Sequence, residues 1–245
     1  MAGEQELNQG SKDSAPVAAQ PPKNLLRDMF GIILEPQKSY QRILGVGYWV
    51  GMVIVILLVS AALEQVYHTQ TINLTLEKMQ ENVAGNPDAA QGAMQFYQNE
   101  AITRPVYFAI TIIGQIVALL IGTVLYFFVA SVIFGGTAKF KQVWIVAVWG
   151  YVIVLLQMII KTPLILAKNS IEAGLNFGLI FTEQMVGSKL HNAFGAVDLF
   201  GIWHFIVVGL GLAVLYKFPS KKGIGVAFIV WLLLTAIGAA VGYFA

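Results

Sequence analysis

The chain has no cysteine, and charged side chains make up only 11% of its 245 residues. The missing thiols exclude a disulfide framework, thiolate catalysis and cysteine-ligated metal or iron–sulfur centres. A soluble domain carries about 25% charged residues, so this chain has too few charges to face water on all sides. Because 57% of its residues are hydrophobic, the composition predicts a protein whose main solvent is lipid. The net charge of +2 is too small to indicate nucleic-acid binding.

Catalytic and cofactor motifs are missing as well. The sequence has no Gly-x-Ser-x-Gly, no His-Glu-x-x-His, no phosphate loop and no dinucleotide fingerprint. No two of its three histidines, His68, His191 and His204, stand at helical spacing. These absences predict a protein that is not an enzyme. They also indicate no catalytic residue, no metal, no cofactor and no small-molecule substrate.

Five apolar runs are long enough to cross a bilayer, which takes about 20 residues of helix. They cover residues 46–66, 106–134, 143–160, 199–216 and 224–244. The predicted fold class is all-α, a polytopic membrane protein with a bundle of five transmembrane helices and short interfacial helices. Residues 1–22 are polar and have almost nothing to bury, which predicts a disordered cytoplasmic tail. The membrane domain then comprises residues 23–245.

The positions of lysine and arginine predict the orientation. Ten of the fifteen basic residues lie before the first span or in the short loops that follow the second and fourth spans. The two longer loops, 68–105 and 161–198, share the other five. Basic residues stay on the cytoplasmic side, so we expect the N-terminus inside, the C-terminus outside, and a location in a bacterial inner membrane.

Short helices are expected outside the spans. Leu25, Leu26, Met29, Phe30 and Ile33 fall on one helical face, with Lys23, Arg27 and Asp28 off it, and Pro36 suits the first position of the next helix. This pair either lies flat among the cytoplasmic headgroups or packs beneath the bundle, and the sequence favours neither. The first outer loop predicts a helical hairpin broken at Gly85-Asn86-Pro87, and the second is expected to lie in the interface or dip back.

Polar side chains are rare in the spans. Glu64 and His204 lie near the outer ends of their spans, where we expect hydration. Gln115 and Gln157 lie deeper and are typical of hydrogen bonds between helices. A transporter or channel would use such groups instead for a substrate.

Small residues one turn apart occur in four of the spans. Gly114, Ala118 and Gly122 follow this spacing in the second span, and Gly238 and Gly242 in the fifth. Gly47 with Gly51 and Gly209 with Ala213 repeat it. This spacing lets helix backbones approach closely, which predicts a compact bundle and a surface for a partner helix.

Three motifs, in order, resemble the Yip family, named for membrane proteins that bind Ypt/Rab GTPases. Glu35-Pro36-Gln37-Lys38-Ser39-Tyr40 resembles the entry to that family's membrane domain. Phe134-Gly135-Gly136-Thr137-Ala138-Lys139-Phe140 resembles its Gly-Gly turn, and Asp198-Leu199-Phe200-Gly201-Ile202-Trp203 with Gly209-Leu210-Gly211-Leu212 resembles the start of its fourth span. The resemblance covers about residues 30–242 and implies the same five spans.

The resemblance implies a membrane protein that works by binding. The tail lacks the acidic, aromatic-rich stretch expected to engage a Rab GTPase, and with the outer loops it is similar to the bacterial branch, some members of which accompany exporters. The leading hypothesis is a non-enzymatic membrane scaffold or accessory protein. Its expected partners are membrane lipid and either another integral membrane protein, such as an exporter or trafficking component, or further copies of itself. A transporter or channel subunit, and lipid binding by the N-terminal helices, are the alternatives.

Overall fold

The computed structural model describes residues 23–82, 87–169 and 198–240, and the regular elements in these ranges are helices. In chain order they are α1 (Leu25–Leu34), α2 (Pro36–Val46), α3 (Val50–Val66), α4 (His68–Asn82), α5 (Pro87–Gln98), α6 (Glu100–Phe128), α7 (Phe140–Gly150), α8 (Val152–Lys168), α9 (Leu199–Tyr216) and α10 (Ser220–Ala240). A π-helical turn, Val129–Ile133, continues α6. The predicted all-α fold class is confirmed.

Four segments of the described residues are long and apolar enough to cross a membrane. They are Glu100–Ile133, Phe140–Lys168, Leu199–Tyr216 and Ser220–Ile237. A fifth exists if α3 and the first part of α4, which meet at a bend of 64°, form one broken span. The chain is therefore a multi-pass membrane protein with four or five candidate spans.

The third span is longer than its apolar run. The sequence predicts residues 143–160, whereas the helix pair α7–α8 covers Phe140–Lys168. The apolar run ends at Lys161, but the backbone stays helical through Lys161 and Pro163. A helix can rise out of the bilayer, and the long lysine stem lets its charge reach water. Hydropathy therefore marks where the lipid ends and not where the helix ends.

Only the first of the two longer loops can be compared with its sequence prediction. The expected helical hairpin in the first loop is present as α4 and α5, which contact each other. Most of the second loop, residues 170–197, lies outside the described residues, as does the expected tail at 1–22. The expectation that the second loop dips back into the membrane stays a prediction.

One end of the bundle, named here the basic end, holds the α6–α7 and α9–α10 turns. Lysines in or beside these two turns are Lys139, Lys141, Lys217, Lys221 and Lys222. The side-chain amide of Gln37, at the start of α2, donates to the hydroxyl of Ser220 at 2.8 Å. The segment before the first span therefore lies at the same end as both basic turns.

The α9–α10 pair is the tightest contact in the bundle. A Cβ added at Gly209 would lie 2.5 Å from the Cα of Ile224, and one added at Gly223 would lie 2.7 Å from the Cβ of Ala213. Only glycine permits this backbone approach, which gives dispersion contacts where lipid removes the hydrophobic driving force.

Candidate functional site

Tyr40 joins the first family-like motif to the third. Pro36 begins α2 at the first helical position, where its missing N–H costs nothing, and one turn later Tyr40 is fully buried. Its hydroxyl donates to the backbone oxygen of Val146 at 3.1 Å. A Cβ added at Gly211 would lie 2.7 Å from the Tyr40 ring, so only glycine fits there. Burial raises the pKa of the Tyr40 hydroxyl, which keeps it a neutral donor.

The Gly-Gly turn uses each glycine for a different reason. Gly135 has φ +67°, a conformation that L side chains rarely adopt. Gly136 lies against the rings of Tyr216 and Phe218, and an added Cβ would come within 2.8 Å of Phe218. The hydroxyls of Ser131 and Tyr216 are 2.9 Å apart. The turn therefore fixes the end of α6 to the end of α9.

Lys222 closes the same turn from the other side. Its ammonium donates to the backbone oxygen of Phe134 at 3.3 Å. It also lies 4.0 Å from the centre of the Phe218 ring and 5.4 Å from that of Phe134, both within the range of a cation–π contact. A lysine counted in the sequence only for its charge thus has a structural role.

Asp198 caps α9 and also connects two helices. One carboxylate oxygen accepts from the backbone N–H of Gly201 at 2.7 Å, which satisfies a free donor at the helix start. The other accepts from the side-chain amide of Gln157 at 2.5 Å. Trp203 follows on the same helix, half-buried and stacked on Phe200.

His204 differs from the sequence expectation of a hydrated, interfacial histidine. Its Nδ1 lies 3.1 Å from the backbone oxygen of Gly150, to which it donates, and its ring makes an edge contact with Tyr151. Because α9 begins beside Gln157 on α8, its second turn already lies against the middle of the α7–α8 pair. Apolar periodicity could not reveal this offset.

The buried face of helix α1 differs from the apolar face in its sequence pattern, because it includes Asp28. Asp28, predicted to lie off the packing face, has 0% exposure, whereas Leu26, Phe30 and Leu34 are 66%, 64% and 77% exposed. Asp28 receives Arg42 and the Tyr48 hydroxyl. The helix therefore packs on the bundle through Asp28 together with apolar side chains such as Ile32, which is 0% exposed, and points a second apolar stripe outward. Sequence reasoning missed this pair, and the signal was an arginine on the next helix without an acidic partner of its own.

The contacts of Tyr40, Gly136, Lys222 and Asp198 are named here the junction. The predicted packing positions lie apart from it. Gly114 and Ala118 are exposed on α6, and a Cβ added at Gly114 would meet no atom within 4 Å. At Gly122 an added Cβ would meet only Tyr126 of the same helix, at 3.7 Å. Gly238 lies in α10, and Gly242 lies outside the described residues.

The junction consists of contacts between helices. Its polar groups, from Tyr40 to Lys222, are each paired with a backbone or side-chain atom. No group of three or more His, Asp or Glu side chains that could hold a metal occurs in the described ranges. The three motifs instead meet along α9 and hold α2, α6 and α7 together.

The comparison with known proteins agrees with these motifs. No curated protein and no solved structure matches the chain. The family model described as the Yip1 domain matches residues 30–241, which includes all three motifs and every candidate span. The chain therefore belongs to the Yip family of multi-pass membrane proteins.

Proposed function

We propose that this protein is a non-enzymatic scaffold or accessory protein that binds another integral membrane protein side by side in the bilayer. The observation that carries the proposal is the open small-residue face of α6. Gly114, Ala118 and Gly122 stand one turn apart, and no other helix in the described part of the chain covers Gly114 or Gly122. A second helix can approach such a face closely and gain dispersion contacts that lipid chains make less well.

The glycines on the other helices support α6 as the helix that binds the partner. Gly209, Gly211 and Gly223 are already in contact with neighbouring helices or side chains. The large side chains beside the α6 face stay exposed, with Ile113 at 61%, Val117 at 46% and Ile121 at 48%. They can act as ridges on both sides of a groove of small residues, into which a partner helix packs.

The alternative, a transporter or channel subunit, loses two of its arguments. The side chain of Gln115 accepts from the Tyr151 hydroxyl, and Gln157 donates to Asp198 at 2.5 Å. Both amides therefore connect helices. Cavities in the described part of the chain include two that are lined by residues of α2, α9 and α10. One, of 360 Å³, is lined at the basic end by Gln37, Gln41, Ala213, Val214, Lys217 and Phe218, and the other, of 190 Å³, is an apolar groove between α9 and α10.

We further propose the orientation and location. The Gln37–Ser220 contact places the segment before the first span beside the basic turns. Lysine and arginine are retained on the cytoplasmic side of a membrane, so the basic end faces the cytoplasm of a bacterium. An exporter subunit in the inner membrane is the class of partner that the resemblance to the bacterial branch indicates.

The test is recovery of a partner from native membranes through a tag on the N-terminus, read by mass spectrometry. A photocrosslinking residue at Ile113 should capture the same partner. Gly114→Leu with Gly122→Leu should reduce recovery about tenfold, because the larger side chains hold the partner backbone away and a loss of about 1.4 kcal/mol is a factor of ten. Gly51→Leu is the matched control, since Gly51 is also a helical glycine with open space around it.

Three results would contradict the proposal. The first is repeated recovery of the chain alone, and the second is equal loss of the partner in the Gly51→Leu control. Recovery of a homo-oligomer with no companion would be the third and would favour transport, which flux measurements in proteoliposomes would then test.

A further inference from the structure

The bend between α3 and α4 holds an unusual set of buried polar atoms. In the described residues, four buried side-chain oxygen or nitrogen atoms have no hydrogen-bond partner: both carboxylate oxygens of Glu64, Nδ1 of His68 and Oε1 of Gln70. All four lie within seven residues of the chain. Glu64 is 6% exposed and His68 is 0% exposed. Buried polar atoms are normally satisfied, so their concentration at one place indicates a missing ligand.

The hydrogen-bond directions show what kind of ligand is missing. The Thr103 hydroxyl donates its one hydrogen to the backbone oxygen of Asn99, at 3.2 Å. With that hydrogen used, we assign Thr103 as the acceptor from Nε2 of His68, which lies 3.0 Å away. His68 then carries its proton on Nε2, and its Nδ1 is a bare acceptor. Gln70 likewise uses its amide hydrogens on Asn169, at 3.2 Å, which leaves its oxygen free.

No cationic side chain in the described part of the chain pairs with these acceptors. Arg104, on the adjacent helix α6, bonds Glu100 at 3.0 Å and the backbone oxygen of Gln65 at 3.2 Å. Lys161, on α8, forms no ion pair with Glu64 in the described part of the chain. Tyr67, at the bend, forms no hydrogen bond with the Glu64 carboxylate. A buried carboxylate with neither donor nor counter-charge is strongly disfavoured.

The buried face of α3 leads to the bend at which His68 begins α4. Ile56, Ser60, Glu64 and His68 follow one another at intervals of four residues, and all are buried. Ser60 contacts Met158 of α8, and His68 contacts Thr103 of α6. Glu64 thus lies one turn beyond the Ser60 contact and four residues before the His68 contact, on the side of α3 that faces the bundle.

We propose that Glu64, supported by the free nitrogen of His68 four residues along the chain at the α3–α4 bend, binds a single small cation, either a proton or a metal ion, at the end of the bundle opposite the basic end. An acceptor-only set excludes an anion. Carboxylate, imidazole and amide oxygen are groups that bind protons and divalent metals alike. The site is separate from the α6 face and does not depend on the partner proposed above.

A carbodiimide tests the site in the purified full-length protein. Dicyclohexylcarbodiimide takes the proton of a buried carboxylic acid onto its nitrogen while the carboxylate adds to its central carbon. The O-acylisourea then rearranges to a stable acylurea, so peptide mass spectrometry reports protonated Glu64 as a mass increase of one reagent. We expect Glu64 to be labelled in its protonated form, and a bound metal ion to prevent labelling by displacing that proton. If the ligand is a proton, labelling with chelator present falls only as the pH rises. If it is a metal, Na⁺, Mg²⁺, Mn²⁺ or Zn²⁺ protects Glu64 at constant pH.

Two variants separate the site from general reactivity. Glu64→Gln should abolish the label, whereas Glu100→Gln should retain it, because Glu100 is exposed and paired with Arg104. His68→Asn should change the half-protecting cation concentration, or the corresponding proton concentration, by about tenfold or more. His204→Asn is the matched histidine control and should leave it unchanged. If Glu64→Gln does not fold, the proposal is still tested by the effect of pH and metal ions on Glu64 labelling in the unsubstituted protein. The comparison with His68→Asn tests it as well.

Two outcomes overturn the proposal. One is no label at Glu64 at any pH and any cation concentration. The other is label that neither pH nor any of the four metals changes, since Glu64 would then be a carboxylic acid that exchanges no cation.

Discussion

The guanidinium of Arg42 lies 2.5 Å from the carboxylate of Asp28, whose side chain is 1% exposed. The Tyr48 hydroxyl donates to the second oxygen of the same carboxylate. This pair fixes α1 against α2 and the start of α3, and it leaves Leu26, Phe30 and Leu34 to face outward. An apolar stripe with a basic flank is typical of a helix that lies in the headgroup region, and we expect the outward stripe of α1 to contact lipid there.

Asp28→Ala should destabilise the protein by about 3 kcal/mol or more, because it leaves Arg42 three-quarters buried without its partner. Tryptophan fluorescence during titration with sodium dodecyl sulfate in mixed micelles measures the change. Glu35→Ala removes an exposed pair with Lys38, whose side chains are 59% and 74% exposed, and should have no measurable effect. Equal effects in both variants would show that the Asp28 pair does not hold α1 in place.

Gly136→Ala should cost about 1–3 kcal/mol, because the added methyl group meets the Tyr216 and Phe218 rings. Neither ring turns away freely, since Tyr216 is bonded to Ser131 and Phe218 is stacked on Tyr216. The same unfolding titration measures it. Gly114→Ala is the control and should cause no loss, as its Cβ meets open space. A neutral Gly136→Ala would mean that the turn is looser than described.

Gly209→Ala should weaken the α9–α10 pair by about 1–3 kcal/mol, because the new Cβ would meet the backbone of Ile224, which no side-chain rotation can relieve. Gly225 lies on α10 only two residues beyond Gly223, with open space around its Cα. Gly225→Ala should therefore leave the unfolding midpoint unchanged. If the two substitutions behave alike, the close approach at Gly209 is not a source of stability.

The proposed orientation can be read directly, because the chain has no cysteine to remove. Thr137→Cys places a thiol in the exposed α6–α7 turn, and Gln98→Cys places one at the exposed end of α5. In intact cells a membrane-impermeant maleimide should label Cys at position 98 and should label position 137 only after the membrane is permeabilised. The reverse pattern would invert the topology.

Motifs that depend on the backbone conformation of a single residue were predictable from sequence. Pro36 at a helix start and the Gly-Gly turn at Gly135 depend on φ values that the residue type itself favours. The all-α fold and the outer helical hairpin follow from apolar periodicity. Asp28 was not predictable in this way, because its burial depends on Arg42 and Tyr48, which lie on other elements. Glu64 was expected to be hydrated, and the packing of α6 and α8 around α3 removes that water.

The sequence by itself determined that this chain lies in lipid, that it crosses the membrane in apolar helices, and which family it resembles. These properties depend on composition and on spacing along one segment, where hydrocarbon requires every backbone group to be paired within its own helix. Only the tertiary structure decided which small residues are used inside the bundle and which stay open, which polar groups tie helices together, and which carboxylate is left without a partner. Those outcomes depend on how far each helix is displaced along its neighbours, and periodicity within a single helix carries no information about that displacement.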